Sequence, residues 1–372
     1  MNLYEFQAKE VFRDAGLPVP RYDLSRSAEE DAAVLDRVGP PWVLKAQVLR
    51  GGRGKAGLVS LPDSRDEALA ELQRIRDAAP DAHSVLVQQR VEIERELYLA
   101  ATVDPAEARV LLLASAAGGV DVERSASRSG AVNRVSVDTG RGVMPFQIRN
   151  LTAGLDLDKP RRKALGRIAA DLYALLRSKD ATLAEINPLA ITPDGTLVAA
   201  DAKLVIDDNA AFRQPFEPNR ESYAGETEYE AAQKGIPYVQ FDGNIGLMCA
   251  GAGLTNTVND LIHDFGGSPA NFLEFGGPNY RRAREAMELT LKSDPKVILV
   301  VTFGTIARAD VMAEGIAEAI EALQPDIPIV TAIRGTNEEK AAEILRGIGL
   351  EPIRDTEEAV RKAVALAEGT SS

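Results

Sequence analysis

"AEINPLAITPDGTLVAADAKL", Ala184 to Leu204, reads as two apolar strands joined at the turn "PDG", 193–195. Apolar residues alternating on either side of a Pro-Asp-Gly turn are the pattern of a β-hairpin. Four polar residues, Glu185, Asn187, Asp201 and Lys203, stand in a pair otherwise suited to burial. With "PDG" as a three-residue loop, Glu185 faces Lys203 and Asn187 faces Asp201, with opposed Cβ atoms roughly 5 Å apart. Side chains alternate faces along a strand, so all four project to one side. Leu189, Ile191, Leu197 and Ala199 share that face nearer the turn. An Asn carbonyl beside an Asp carboxylate offers hard oxygen donors that suit Mg²⁺ also binding phosphate and water. An ordinary cross-strand ion pair with an Asn–Asp hydrogen bond is the alternative reading.

Upstream, "PWVLKAQV" (41–48) reads as a strand and runs into the glycine-rich "LRGGRGKAG" (49–57). Closely spaced glycines let backbone N–H groups approach phosphates, and Arg53 and Lys55 add positive charge. Lys45 is a charge in an apolar run, and a buried lysine needs an anionic partner. Glycine loop, strand lysine and the Asn/Asp pair together point to a nucleotide–Mg²⁺ site.

Around these motifs the first two hundred residues form a mixed α+β pattern. A helix over "YEFQAKEVFRDAG" (4–16) is closed by Gly16, an extended piece follows Pro18 and Pro20, and further helices cover about 27–38 and 65–78. "HSVLVQQRV" (83–91), "ELYLAATVD" (96–104) and "ARVLLLASA" (108–116) read as strands. Residues 145–166 read as a connection into the helix "RRKALGRIAADLYALLR" (161–177). A polar stretch at 207–236 reads as the link between domains. Beyond it, "YVQF" (238–241), "IGLMCA" (245–250), "NFLEF" (271–275), "KVILVVTF" (296–303) and "IPIVTAI" (327–333) alternate with helices. That alternation predicts a doubly wound parallel sheet, whose ligands bind at the strands' carboxyl ends. Those ends carry "AGAG" (250–253), "FGGPN" (275–279), "FGTIA" (303–307) and "RGTN" (334–337).

Of 372 residues, 43 are Lys or Arg and 56 Asp or Glu, a formal charge of −13 that argues against nucleic acid as the main partner. Cys249 is the single cysteine, so no intrachain disulfide forms, and a reducing compartment fits. No leader pattern or membrane-length apolar run is present, which predicts a soluble, cytoplasmic protein. His83 and His263 each stand without a second ligand at metal spacing and read as structural.

The ordered motifs "YEFQAKEVFRDAGLPVP", "LKAQVLRGGRGKAG", "EINPLAIT", "DAKLVIDDNAAFRQP", "DGNIGLMCAGAGL" and "GGSPANFLEFGG" resemble the β subunit of succinyl-CoA synthetase over nearly the whole chain. The resemblance implies an ATP-grasp domain (1–220) that binds nucleotide and Mg²⁺, then a flavodoxin-like CoA-ligase domain (237–372) facing an α subunit and the acid. It implies phosphate contacts from Lys45, Gly52, Arg53 and Gly54, with Glu96 on the nucleotide's other side. Asn187 and Asp201 become Mg²⁺ ligands, and Glu185 orients a phosphohistidine carried by the α subunit, which also binds CoA. An αβ or α2β2 heteromer acting on succinate, in the tricarboxylic acid cycle, is the direct implication.

Departures from the family pattern bear on the acid. Ala250 replaces an Asn before "GAGL", Thr305, Ile306 and Ala307 stand at a Gly-Gly-Ile turn, and Pro278 and Asn279 interrupt a run of glycines. Losing the Asn amide removes a donor for a carboxylate, and Thr305 supplies a hydroxyl. Malate or a sulfonated acid such as sulfoacetate is therefore the alternative to succinate, and plain loop variation is the bland explanation. Gln88, where the family has a nucleotide-contacting glutamate, and Val91 bear on base choice, which leans to ATP over GTP. A different ATP-grasp carboxylate ligase without a phosphohistidine and a non-catalytic binding or regulatory module are the remaining hypotheses.

Overall fold

The structure, a computed structural model, describes residues 1–49, 52–119, 132–276 and 281–369. The expectations placed on Pro278 and Asn279 lie outside these. The chain divides into two units, Met1–Ser222 and Tyr223–Ser372.

The first unit runs α1 (Glu5–Asp14), β1 (Tyr22–Ser25), α2 (Ala28–Val38), β2 (Trp42–Ala46), β3 (Val59–Ser60), α3 (Arg65–Ala78), β4 (Val85–Gln89), β5 (Arg95–Asp104) and β6 (Arg109–Ser115). It continues with β7 (Asn133–Val137), α4 (Pro145–Leu151), α5 (Lys159–Ser178), β8 (Ala181–Ile191), β9 (Leu197–Ala199) and β10 (Lys203–Ile206). Two antiparallel sheets result: β1-β4-β2-β3, and β10-β8-β5-β6-β7 with β9 also on β8. Helix α5 starts at Asp158, whose carboxylate accepts the Arg161 N–H at 2.8 Å. Its stripe of Leu165, Ile168, Ala169, Leu172 and Leu176 joins the core on the larger sheet. The segment 145–166, expected as a connection, instead contains α4. Pro145 pre-sets its first turn, and the Gln147 side chain accepts the Met144 N–H at 2.8 Å. Strand β7 was not anticipated.

The hairpin pairs in the register read from its turn: Ile191 with Leu197, Leu189 with Ala199, and Glu185 with Lys203. Its face assignment needs correction. The core holds Leu189, Ile191, Leu197 and Ala199, but on the far side of Asn187–Pro188 it holds Ala184, Ile186, Ala202 and Leu204. The ladder with β5 shifts by one residue there, with Leu97 opposite Leu189 and Leu99 opposite Ile186. Ala200–Asp201 interrupts the facing strand at the same level. An extra residue on each strand preserves the register and inverts the alternation. Glu185 and Lys203 thus lie on the face opposite the apolar turn-end residues.

The second unit comprises α6 (Glu226–Gln233), β11 (Tyr238–Gln240), β12 (Ile245–Cys249), α7 (Ala252–Asp264), β13 (Asn271–Leu273), α8 (Ala283–Leu291), β14 (Val297–Gly304), α9 (Ala309–Leu323), β15 (Ile329–Gly335), α10 (Glu338–Gly347) and α11 (Thr356–Ala367). β12, β14 and β15 form the parallel sheet, buried on both faces. β13 joins β12 through parallel bridges at Pro269 and Glu274. β11, expected within the parallel alternation, runs antiparallel to β13. Two 3-10 turns and α6 occupy much of the polar 207–236 stretch.

Candidate nucleotide site and its relatives

Helix α1 places Glu5, Ala8, Lys9 and Phe12 on one buried stripe. Two of these are charged, so they demand partners. Glu5, 5% exposed, receives Lys9 at 2.8 Å and Lys45 of β2 at 2.7 Å on one oxygen, and Arg53 at 2.8 Å on the other. Arg53 also pairs with Asp201 at 3.2 Å. The Ala200 carbonyl accepts from Lys9 and Lys45, each at 3.0 Å, and from the Gln88 amide at 3.4 Å. The sequence explains why that carbonyl is free. Ala200 donates its own N–H to the Pro188 carbonyl at 3.2 Å, and a proline has no N–H to return.

Burial pushes the Glu5 carboxyl up, but Lys45, Lys9 and Arg53 outweigh it and hold it well below the usual range. Burial brings the Lys9 ammonium down to about 8 against the pull of Glu5. Asp201, half-buried, is raised by burial and by the negative charge of Glu5, despite Lys45 and Arg53. Three cations thus face two carboxylates, a surplus of one positive charge for an anionic ligand.

Across β5 and β8 lies the second part of the site. Asn187 clasps the Gly119 backbone, accepting its N–H at 2.6 Å and donating to its carbonyl at 3.3 Å. Gly119 has φ +66°, and a Cβ there would stand 2.6 Å from a Glu96 carboxylate oxygen. The positive φ favours glycine here, and a Cβ would push the Glu96 carboxylate aside. Tyr98 donates to Glu185 at 3.2 Å, and burial and Glu185 raise its phenol, keeping the donor protonated. Asn187 and Asp201 stand opposite one another between the Leu189–Ala199 and Glu185–Lys203 pairs. An amide carbonyl oxygen beside a carboxylate, once that carboxylate is ionised, is a hard-oxygen donor set that fits a divalent cation.

Of the residues singled out in the sequence, Lys45, Arg53, Gln88 and Asp201 meet in one cluster, while Glu96, Asn187 and Glu185 gather along β5 and β8. Gly52, with φ +79°, and Gly54 flank Arg53 in the loop, and Val91 follows β4 half-buried. In the second unit, Ala250 donates its N–H to Val301 at 3.1 Å at the end of β12. The loop of Thr305, Ile306 and Ala307 follows β14, with Ile306 fully presented to solvent. Glu5, Lys9, Tyr98 and Gly119 were missed. For the first two the signal was present, two charges at i and i+4 on the apolar stripe of a helix.

The two units define a class: an ATP-grasp unit followed by a CoA-ligase unit. Residues 2–191 match the family model of an ATP-grasp domain, and residues 248–366 that of a CoA-ligase. The chain is 52% identical to the ADP-forming sulfoacetate-CoA ligase subunit SauC of Bilophila wadsworthia, covering 99% of this chain and 100% of that one. It is 49% identical to the sulfoacetate-CoA ligase subunit SqwK of an Acholeplasma species, covering 99% and 92%. It is 41% identical to the ADP-forming succinate–CoA ligase subunit beta of Halorhodospira halophila, covering 99% of each. A structure of ATP citrate lyase from Methanothrix soehngenii shares the fold, with a TM-score of 0.73 at 18% identity over 99% of each chain. The chain belongs to the family of ADP-forming acid–CoA ligase β subunits. Among the described residues, no helix is long and apolar enough to cross a membrane.

Proposed function

We propose that the chain is the nucleotide-binding subunit of an ADP-forming ligase that joins sulfoacetate to coenzyme A. The supporting observation is the 52% and 49% identity, over 99% of the chain, to two sulfoacetate-CoA ligase subunits, against 41% to a succinate ligase. Ala250 and Thr305, which depart from the succinate pattern, agree with it. The partner is a CoA-binding α subunit with a histidine that is phosphorylated in transit, in an αβ or α2β2 assembly in the cytoplasm.

Lys45, Arg53 and the N–H groups of Gly52 and Gly54 hold the ATP phosphates, and Glu96 and Val91 border the nucleotide. Gln88 acts through Lys9, whose charge it helps to place. Asn187 and Asp201 would hold Mg²⁺, which supplies charge neutralisation at the phosphates when bound. Glu185, steadied by Tyr98, orients the partner's histidine to accept the γ-phosphoryl group as ADP leaves. The phosphoryl group then passes to the acid's carboxylate, and the CoA thiol displaces phosphate to form the thioester. This chain's contribution is placement and charge matching. Purified with its α partner, the chain should convert ATP, CoA and sulfoacetate to ADP, phosphate and thioester. A stable complex giving no acid-dependent thioester with sulfoacetate, succinate or malate overturns this reading.

A further inference from the structure

At the carboxyl end of the second unit's parallel sheet, the neighbouring basic groups are paired. Arg308 bonds the buried Asp310 at 3.0 Å, Lys340 approaches the same carboxylate at 3.4 Å, and Arg354 pairs with Glu339. Arg334 differs. Among the described residues its guanidinium makes no ion pair or hydrogen bond, and its Nε is buried without an acceptor. Its guanidinium carbon lies 6.0 Å from the centre of the Phe303 ring, which is itself 56% exposed. An arginine left unpaired beside an exposed aromatic ring, in a chain of net charge −13, is a group awaiting an anion.

Its position bears on the acid. Phe303 and Arg334 are register partners on β14 and β15, one residue before Gly304 and Gly335. They continue the face formed by Val301 and Ala332, which α7 and α11 cover. The loops beyond are locked together: Thr336 donates its N–H to Gly304 at 2.9 Å and its hydroxyl to the Thr305 carbonyl at 3.1 Å. A Cβ on Gly335 would fall 1.9 Å from the Gly304 carbonyl oxygen, so the two backbones meet where only glycine fits. Arg334 is therefore mounted on a stiff platform beside the Thr305–Ala307 loop, at the edge where doubly wound sheets take their ligands.

We propose that Arg334, beside the Phe303 ring, binds the anionic group at the non-reacting end of the acid substrate. This rests on the acid–CoA ligase reading above. One carboxylate of the acid becomes the thioester, so the second anion stays unchanged and is available for recognition. A planar guanidinium matches two oxygens of a sulfonate or carboxylate.

The test is steady-state kinetics of the complex with its α partner, comparing wild type with Arg334→Met and Arg334→Lys. Arg334→Met should raise the KM for sulfoacetate by about 10- to 100-fold, with the KM values for ATP and CoA unchanged. Arg334→Lys should fall between, because an ammonium lacks the fork. Acid-independent phosphorylation of the partner by ATP should proceed as in wild type, and added guanidinium ion should partly restore sulfoacetate turnover to Arg334→Met. An unchanged sulfoacetate KM, or a parallel loss in ATP and CoA binding without guanidinium rescue, overturns the role of Arg334 and leaves the ligase reading standing. A wild-type complex that forms no thioester from any acid overturns both.

Discussion

Glu5 organises the proposed nucleotide site, because it is the buried anion on which Lys9, Lys45 and Arg53 converge. Replacing it strands three cations, and breaking a buried pair in this way costs about 3–5 kcal/mol. Glu5→Gln should therefore lower stability by that order in urea unfolding. The gap between wild type and variant should also depend on pH. A carboxyl held below its unfolded value stabilises the fold above about pH 4.3, and that contribution is lost as pH falls through the folded value. The gap should be widest near pH 7 and close in acid; a gap that widens in acid contradicts the assignment. Asp201 is proposed to hold Mg²⁺ together with Asn187. Asp201→Asn should weaken Mg·ATP binding about 10-fold or more by calorimetry, and undiminished affinity would remove it from the metal site.

At the scale of elements, the hairpin marks how far the sequence can be read. Its register was legible, since a three-residue turn fixes which residues face each other. Its faces were not, because the paired irregularity at 187–188 and 200–201 inverts the alternation without disturbing the register. A pattern of two cannot reveal an insertion that both strands share. α4 escaped notice because a short helix behind a proline resembles a loop, and β11 because strand direction is not encoded in apolar periodicity. The strand lysine, the glycine loop and the doubly wound alternation were all visible. Gly119 was not marked, since its importance comes from two long-range neighbours, Glu96 and Asn187. Gly119→Ala introduces the left-handed backbone cost, about 1 kcal/mol, and displaces the Glu96 carboxylate from its place beside Gly119. It should raise the Kd for ATP about 10-fold and lower stability in urea unfolding by about 1 kcal/mol. A variant that binds ATP normally would show that this clasp does not shape the site.

At the scale of the molecule, each unit has its own hydrophobic clusters and its own natural reporter. Trp42, the single tryptophan, is buried in the first unit with its indole N–H on the Leu35 carbonyl at 3.1 Å. Cys249, the single cysteine, is buried in the second, where burial raises its thiol pKa and keeps it inert. Glu5→Gln should therefore move the unfolding midpoint seen by Trp42 fluorescence and leave that seen by Cys249 thiol labelling in place. Coincident shifts of both midpoints would mean that the units unfold as one. The division also separates the proposed roles: the candidate nucleotide cluster lies within the first unit, and Arg334 with its loops within the second. The most direct test of the whole account is a competition. The complex of this chain with its α partner is given ATP, CoA and equal concentrations of sulfoacetate and succinate, and the thioesters are identified by mass spectrometry. The account predicts that sulfoacetyl-CoA dominates; a product that is chiefly succinyl-CoA contradicts it.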